Sequence, residues 1–405
     1  YFEAMNAQGK GLEQHEILKV QLMRGEKEQD YLTHIWNLTS MMDHPIIAKE
    51  ENQDEACYRQ FYEEAISLCR QKRFHEVLEK CRYTSLDDEE EYSIDVIQPE
   101  KIEFKQNSYE DGENSIISFP EFLLLVLDVC TGGEQPASHY QPDKLIEKFD
   151  ALKTYFTAGE FYEKMLYYRL LLDYYTIRKD IKDGQGNYSL ILKGPKDDSD
   201  KLKQYQSMLY VSTEAFYNWL KPYLRKLEQD ELHSCAEMLA FLKKEDNERH
   251  SILPARKDLS YKASGNIRYW FWRLDYYLWE QRSTFFNEEE QKIVEHYVFR
   301  RNRSIEHLHP QDESHNEEWE EEAVHSFGNL AMISQSFNSQ QSNDHIQIKF
   351  ARIHEQISNK SLQSIKMFLM CKLADFNYQN WTMKLAKEHE NEMIEFLERS
   401  FYISD

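Results

Sequence analysis

Twelve glycines and nine prolines in 405 residues leave this chain few places to turn sharply or to break a helix. Globular proteins ordinarily carry about 7 % glycine and about 5 % proline. Such scarcity disfavours collagen-like, low-complexity and turn-rich all-β folds, and predicts long helices. The 26 tyrosines, 22 phenylalanines and 7 tryptophans call for a large packed core rather than disorder. A chain of this length exceeds one ordinary core, so two or three domains are expected. A net charge of −23 excludes non-specific adhesion to nucleic acid or anionic membrane through overall charge.

The six cysteines, at 57, 69, 81, 130, 235 and 371, never form a Cys-x-x-Cys pair. That fits reduced thiols better than a disulfide framework or a cysteine zinc site. The longest apolar run, Phe122 to Val129, is interrupted by Asp128 and falls short of the ~18 residues of a membrane span. No basic-then-apolar leader opens the sequence, so a cytoplasmic location is expected and no membrane partner. The chain opens at Tyr1 without methionine, and reads as the later part of a longer protein.

Along the chain, Gly9-Lys10-Gly11 reads as a turn, followed by a helix on Leu12, Ile17, Leu18 and Leu22. Helical spacing continues through Tyr31, Ile35 and Trp36, and again from Tyr58 to Leu68. Residues 83–114, with the acidic run Asp87 to Glu91, read as loop or short irregular strands. Ser118 and Glu121 have the spacing of a capping box, with Pro120 in the first turn of a buried helix. A second helix carries Phe161, Met165, Tyr168, Leu172 and Tyr175. Tyr188 to Leu192, between Asp183-Gly184 and Gly194-Pro195, predicts a hairpin or exposed loop. Another amphipathic helix is marked by Phe216, Trp219, Leu220, Tyr223 and Leu224, whereas Arg268 to Arg282 is apolar nearly all round and belongs at the centre of a bundle.

The texture changes after about residue 290. Val298 to Pro310 mixes β-formers with Arg300, Arg301 and Arg303, and predicts one or two short strands. An acidic loop spans Asp312 to Glu322, and two helices close the chain, one over Ser336–Lys349 and one led by Leu362, Ile365, Leu369 and Leu373. The fold class expected is mainly α, a helical bundle with a small C-terminal α+β domain.

Chemistry concentrates in Ile305-Glu306-His307-Leu308-His309-Pro310, Gly328-Asn329-Leu330 and Ser336-Phe337-Asn338. Hydrolysis of a phosphodiester needs a base that works near neutral pH, for which imidazole is best matched. It also benefits from a divalent cation held by hard oxygen ligands. Neighbouring side chains on a strand point to opposite faces. Glu306 and His307 can therefore share a site only where the strand bends or ends, and Pro310 marks such an end. His307, His309 and His315 form an alternative zinc set, though no cysteine lies between residues 236 and 370 to complete it.

Glu-His-x-x-Pro, a Gly-Asn-Leu some twenty residues later and an asparagine beyond it resemble an HNH (His-Me finger) nuclease site. The likeness is greatest to the C-terminal HNH domain of GmrSD-type modification-dependent restriction endonucleases. It extends over Ile305 to Gln311, Trp319, Gly328-Asn329-Leu330, Ser334-x-Ser336-x-Asn338 and Ser342-Asn343. Phe2-Glu3-x-x-Asn6-x-x-Gly9-Lys10-x-Leu12, with Glu16-Ile17-Leu18-Lys19, is similar to the later part of that family's ParB-like nucleotidase domain. Leu274 to Trp279 also resembles a family stretch. The family's Asp-Gly-Gln-Gln-Arg motif is not in the sequence, so NTP dependence is expected of the longer protein only. His309 departs from the aliphatic residue common at its position.

The resemblance implies three segments: 1–45, the end of a nucleotidase domain; 46–285, a helical middle; and 286–405, the nuclease domain. It implies His307 as general base, Asn329 as the residue that orients it, and Glu306 with Asn338 as ligands of one Mg²⁺ or Mn²⁺, with Asn343 competing for Asn338's role. Lys349, Arg301 or Arg303 would contact the scissile phosphate, and Asn6 and Gly9 would border the nucleotide pocket. On its residues alone Lys349 reads as a solvated helix lysine. The activity implied is cleavage of foreign or modified DNA to a 5′-phosphate and a 3′-hydroxyl in a bacterial defence system. An HNH fold without catalysis, serving as a DNA-binding or sensor module, and a metal-dependent RNase are the alternatives. Self-association into a homo-oligomer is left open.

Overall fold

The computed structural model describes residues 13–47, 54–82, 112–133, 135–181, 188–197, 199–212, 215–301, 303–311, 319–334 and 346–402. The fold is mainly helical with two small antiparallel sheets. The chain divides into two compact units, residues 1–199 with 216–234, and residues 200–215 with 235–405. The boundary expected at residue 285 falls inside the second unit. No disulfide joins the cysteines. Among the described residues no helix is long and apolar enough to cross a membrane.

The first unit contains α1 (Gln14–Met23), α2 (Gln29–Ser40), α3 (Glu55–Arg70), α4 (Phe74–Arg82), β1 (Gly112–Asn114), α5 (Phe119–Thr131), α6 (Leu145–Leu152), α7 (Ala158–Tyr175), β2 (Arg178–Ile181) and β3 (Tyr188–Ile191). Residues 122–128 of α5 and 165–174 of α7 are buried without a break; the α5 run is apolar up to Asp128, and in α7 Arg169 and Asp173 are buried as an ion pair. The box read at Ser118 and Glu121 is formed, and Gly132, at φ +64°, ends α5 in the left-handed conformation that glycine tolerates. β2 pairs with both β1 and β3, so Tyr188–Ile191 is one arm of a hairpin and residues 112–114 are a strand; residues 83–111, with the acidic run, lie outside the described residues. Buried Arg169 ties the end of α2 to α7, donating to the carbonyls of Thr39 and Met41 and to Asp173.

Thr157 caps α7, accepting the Glu160 amide at 3.2 Å while Glu160 returns a carboxylate to the Thr157 amide. Thr157→Ala is expected to lower the stability of this unit by about 1 kcal/mol. Urea unfolding followed by far-ultraviolet circular dichroism measures it, and an unchanged midpoint would contradict it.

The second unit contains α8 (Ser199–Ser212), α10 (Cys235–Arg249), α11 (Arg268–Glu280), α12 (Arg282–Phe285), α13 (Glu288–Glu295), β4 (Arg303–His307), α14 (Glu321–Val324), β5 (Leu330–Ser334), α15 (Ile346–Ser358), α16 (Ile365–Leu373) and α17 (Met383–Arg399); α9 (Leu220–Glu228) belongs to the first. Every residue of α11 from Tyr269 to Trp279 is buried, and the helix packs against β5, α16 and α17. Among the described residues three helices close the chain where two were expected. The third, α17, carries so many charged residues that its buried stripe of Ala386, Met393, Phe396 and Leu397 is thinly marked in the sequence. The first, described over Ile346–Ser358, runs past Lys349 because Phe350 and Ile353 continue the apolar face, and residues 336–345 of the expected stretch lie outside the described residues.

β4 and β5 form one hairpin whose register sets Glu306 opposite Ala331 and His307 opposite Leu330. β5 is buried on both faces. Ala331 and Ile333 face a core with Leu308, Trp319, Ile346, Phe350 and Trp381.

Candidate active site

Strand alternation sends Glu306 and His307 to opposite faces of β4. Glu306 lies on the Ala331 side, where α15 crosses, and Lys349 of that helix places its ammonium on Glu306 Oε1 and, at 2.6 Å, on the main-chain oxygen of His307. Both side chains are buried. This corrects the reading of Lys349 as a solvated residue: the carboxylate that draws it inward is 43 residues earlier in the chain.

His307 faces the other way, into an aromatic and imidazole cluster. Its Nε2 is 3.0 Å from Nδ1 of His325, and the Gln311 side-chain amide donates to its Nδ1 at 3.0 Å. The Tyr261 ring meets His307 edge-on at 4.6 Å and lies nearly parallel to His325. Because Gln311 donates, Nδ1 of His307 carries the lone pair and Nε2 carries the proton given to His325. Burial, then the neighbouring His325 and Lys349, pushes the His307 imidazole down to about 3, so it is neutral near pH 7. Burial and Lys262 likewise lower His325.

Asn329 fastens the turn that follows His307. Its Oδ1 accepts the His309 amide at 2.8 Å and the Trp381 indole at 3.2 Å, and its Nδ2 donates to the carbonyls of His309 and Val324 at 3.0 and 2.9 Å. The Leu308 amide donates to the Asn329 carbonyl at 2.9 Å. A fully used amide of this kind fixes the backbone on both sides of the hairpin end. His309 stacks on Trp319, with ring centres 4.1 Å apart and planes 4° from parallel, so its flat ring fills a slot in the core.

Gly328 explains the glycine in Gly-Asn-Leu. A side chain there would overlap the Ala386 carbonyl oxygen and come within 2.8 Å of Glu390 Cβ on α17. Gly328→Ala is expected to cost about 1–3 kcal/mol by overpacking and to move Asn329 with it. Unfolding and cleavage measured on the same variant check it; wild-type values in both would show that α17 yields without cost.

Beneath the turn, buried Lys366 donates to the carbonyls of Phe327 and Leu330 at 2.8 and 2.6 Å, on either side of Gly328-Asn329. The Lys366 amide and Ser364 hydroxyl are in turn held by Asp275 of α11, 2.8 and 3.3 Å away. This gives the Leu274–Trp279 stretch its place in the site.

At the end of β4 the structure thus places Glu306 with Lys349 on one face and the His307 ring on the other, and Lys349 and Asn329 meet His307 and the turn after it through the main chain. Arg301 is exposed, its guanidinium lying over the Tyr210 ring at 4.2 Å with Nε on the Tyr210 carbonyl. Asn6, Gly9, His315, Asn338, Asn343 and the Arg303 side chain lie outside the described residues. Among the described residues no three histidine, cysteine, aspartate or glutamate side chains gather as a metal-ligand set. Sequence reasoning missed Tyr261, His325, Lys366 and Trp381, which reach the site from distant segments. It also missed a cavity of about 650 Å³ that has Arg256, Lys257, Lys384 and Lys387 among its lining residues; Ser260 on its wall donates to the His325 carbonyl.

A model of the C-terminal domain of GmrSD restriction endonucleases matches residues 244–396, from within α10 to within α17. The match holds Glu306, His307, Asn329, Lys349 and every buried partner just described except Tyr210. No curated protein and no solved structure matches the chain. A restriction endonuclease domain is a nuclease with DNA as its substrate. Residues 244–396, rather more than a third of the chain, are similar to such a domain, and over that part the match supports a nuclease of the GmrSD restriction type.

Proposed function

We propose that this chain cleaves DNA with His307 as the general base of an HNH-type site and Glu306 and Asn338 as ligands of a divalent cation. The observation that supports it most is the His307 ring itself. Its Nε2–H is anchored on His325, and its Nδ1 lone pair is available to whatever replaces the Gln311 amide, a replacement that would also return some of the basicity that burial takes away. A water in that place would give its proton to Nδ1, and His325, accepting from Nε2–H, would steady the imidazolium that forms. Asn329 keeps the turn beyond His307 still while this happens.

The place beside Glu306 suits a cation. Two hard oxygens, from the carboxylate and from the His307 carbonyl, already surround the positive charge of Lys349 there. When bound, a divalent ion would neutralise charge that builds on the phosphate and the leaving oxygen. The asparagine ligand rests on the family resemblance. With a net charge of −23, DNA contact must be local, at Arg301, Arg303 and the basic side chains near Ser260. Foreign or modified DNA in bacterial defence, with NTP dependence in the longer protein, completes this reading.

The test is nicking of supercoiled plasmid, unmodified and base-modified, with Mg²⁺ or Mn²⁺. Nicks bearing 5′-phosphate ends, abolished by a chelator, are expected. No cleavage with either ion on either DNA would refute the reading.

A further inference from the structure

We propose that Lys349 is the resident counter-ion of Glu306, and that it gives up the carboxylate when a divalent cation takes it. The inference rests on the metal reading above and adds a residue and an order of events to it. A buried carboxylate is strongly unfavourable unless a positive charge accompanies it. Here that charge is the Lys349 ammonium, held by Glu306 Oε1 and the His307 main-chain oxygen, with both side chains buried.

These are the same two oxygens that a hard cation would seek. An ammonium and a divalent ion cannot both crowd one carboxylate, because like charges a few ångströms apart in a poorly screened interior repel strongly. One must leave, and only the lysine has a flexible four-carbon stem that can swing while its helix stays in place. The exchange keeps Glu306 ionised and in position before metal arrives. It also sets free a cationic side chain next to the general base at the moment DNA can be cut, when a phosphate oxygen becomes its natural partner.

Calorimetric titration of Mn²⁺ into wild type, Lys349→Met and Glu306→Gln tests the idea. Lys349→Met keeps the apolar stem and removes the competitor, so Mn²⁺ should bind it at least tenfold more tightly than wild type, and Glu306→Gln should lose binding. Equal or weaker binding to Lys349→Met, with wild type binding normally, overturns the counter-ion role alone. Absence of Mn²⁺ binding to both wild type and Lys349→Met overturns the metal reading as well.

A second measurement needs no variant and covers the case in which Lys349→Met does not fold. Acylation of wild-type lysines, mapped by mass spectrometry, should find Lys349 protected without Mn²⁺ and several-fold more reactive with it, while exposed Lys384 is unchanged. Protection that is the same with and without bound Mn²⁺ refutes the exchange.

Discussion

His307→Ala is expected to lower plasmid nicking by two to four orders of magnitude, the usual contribution of a positioned general base. The loss should fall on turnover and leave DNA affinity nearly unchanged, because the ring is buried against Tyr261, His325 and Gln311 rather than presented to phosphates. Removing the ring leaves His325 Nδ1 and the Gln311 amide without their partner, which costs some stability. Thermal unfolding must therefore accompany the kinetics. His307→Asn, which keeps a polar group, is the better-folded control and should be similarly inactive. His325→Ala should have a smaller effect, since it removes the anchor of the ring and not the base. Equal cleavage by wild type and His307→Ala would end the assignment, whatever the metal does.

Much of the helical framework was legible because it is written locally. The Ser118–Glu121 box, the unbroken Phe122 to Leu127 run and the all-round apolar Tyr269 to Trp279 need no knowledge of what they pack against. α17 is not legible in the sequence because acidic and basic residues stand between its buried positions, so no short window looks apolar. At the site, Glu306, His307 and Asn329 were readable from order and spacing, being close to the hairpin that joins them. Lys349 reads as a solvated residue in its own segment, as isolated lysines usually are, and only tertiary structure brings it to Glu306. His325, Tyr261 and Trp381 had no local signal at all. His325 and Trp381 are ordinary core residues of their own segments and Tyr261 is a half-exposed one, and the role of each comes from a partner on another segment.

Lys366 gives the largest expected effect on stability, and its sign can be worked out. Burial pushes its ammonium down to about 7 from an ordinary value of 10.5, against the pull of Asp275 and Glu390. Below pH 7 the lysine is charged both folded and unfolded, so it adds no pH dependence there. Between pH 7 and about 10.5 the unfolded chain binds one more proton than the folded one, and stability rises with pH. The slope approaches about 1.4 kcal/mol per pH unit, for a total on the order of a few kcal/mol. Lys366→Met lacks this term. It also leaves the Phe327 and Leu330 carbonyls without their donor, a cost of about 1–3 kcal/mol for each buried group that is nearly independent of pH. The stability difference between wild type and Lys366→Met should thus be level below pH 7 and grow in favour of wild type from pH 7 to 10. Comparing the two proteins cancels the titration of the tyrosines and cysteines that both share. Denaturant unfolding at half-unit pH steps supplies the curve, and a difference that stays flat to pH 10 would mean that the folded lysine keeps its ordinary affinity for the proton. Because those two carbonyls bracket Gly328 and Asn329, nicking by Lys366→Met should fall at every pH, through a turn no longer held in place beneath His307.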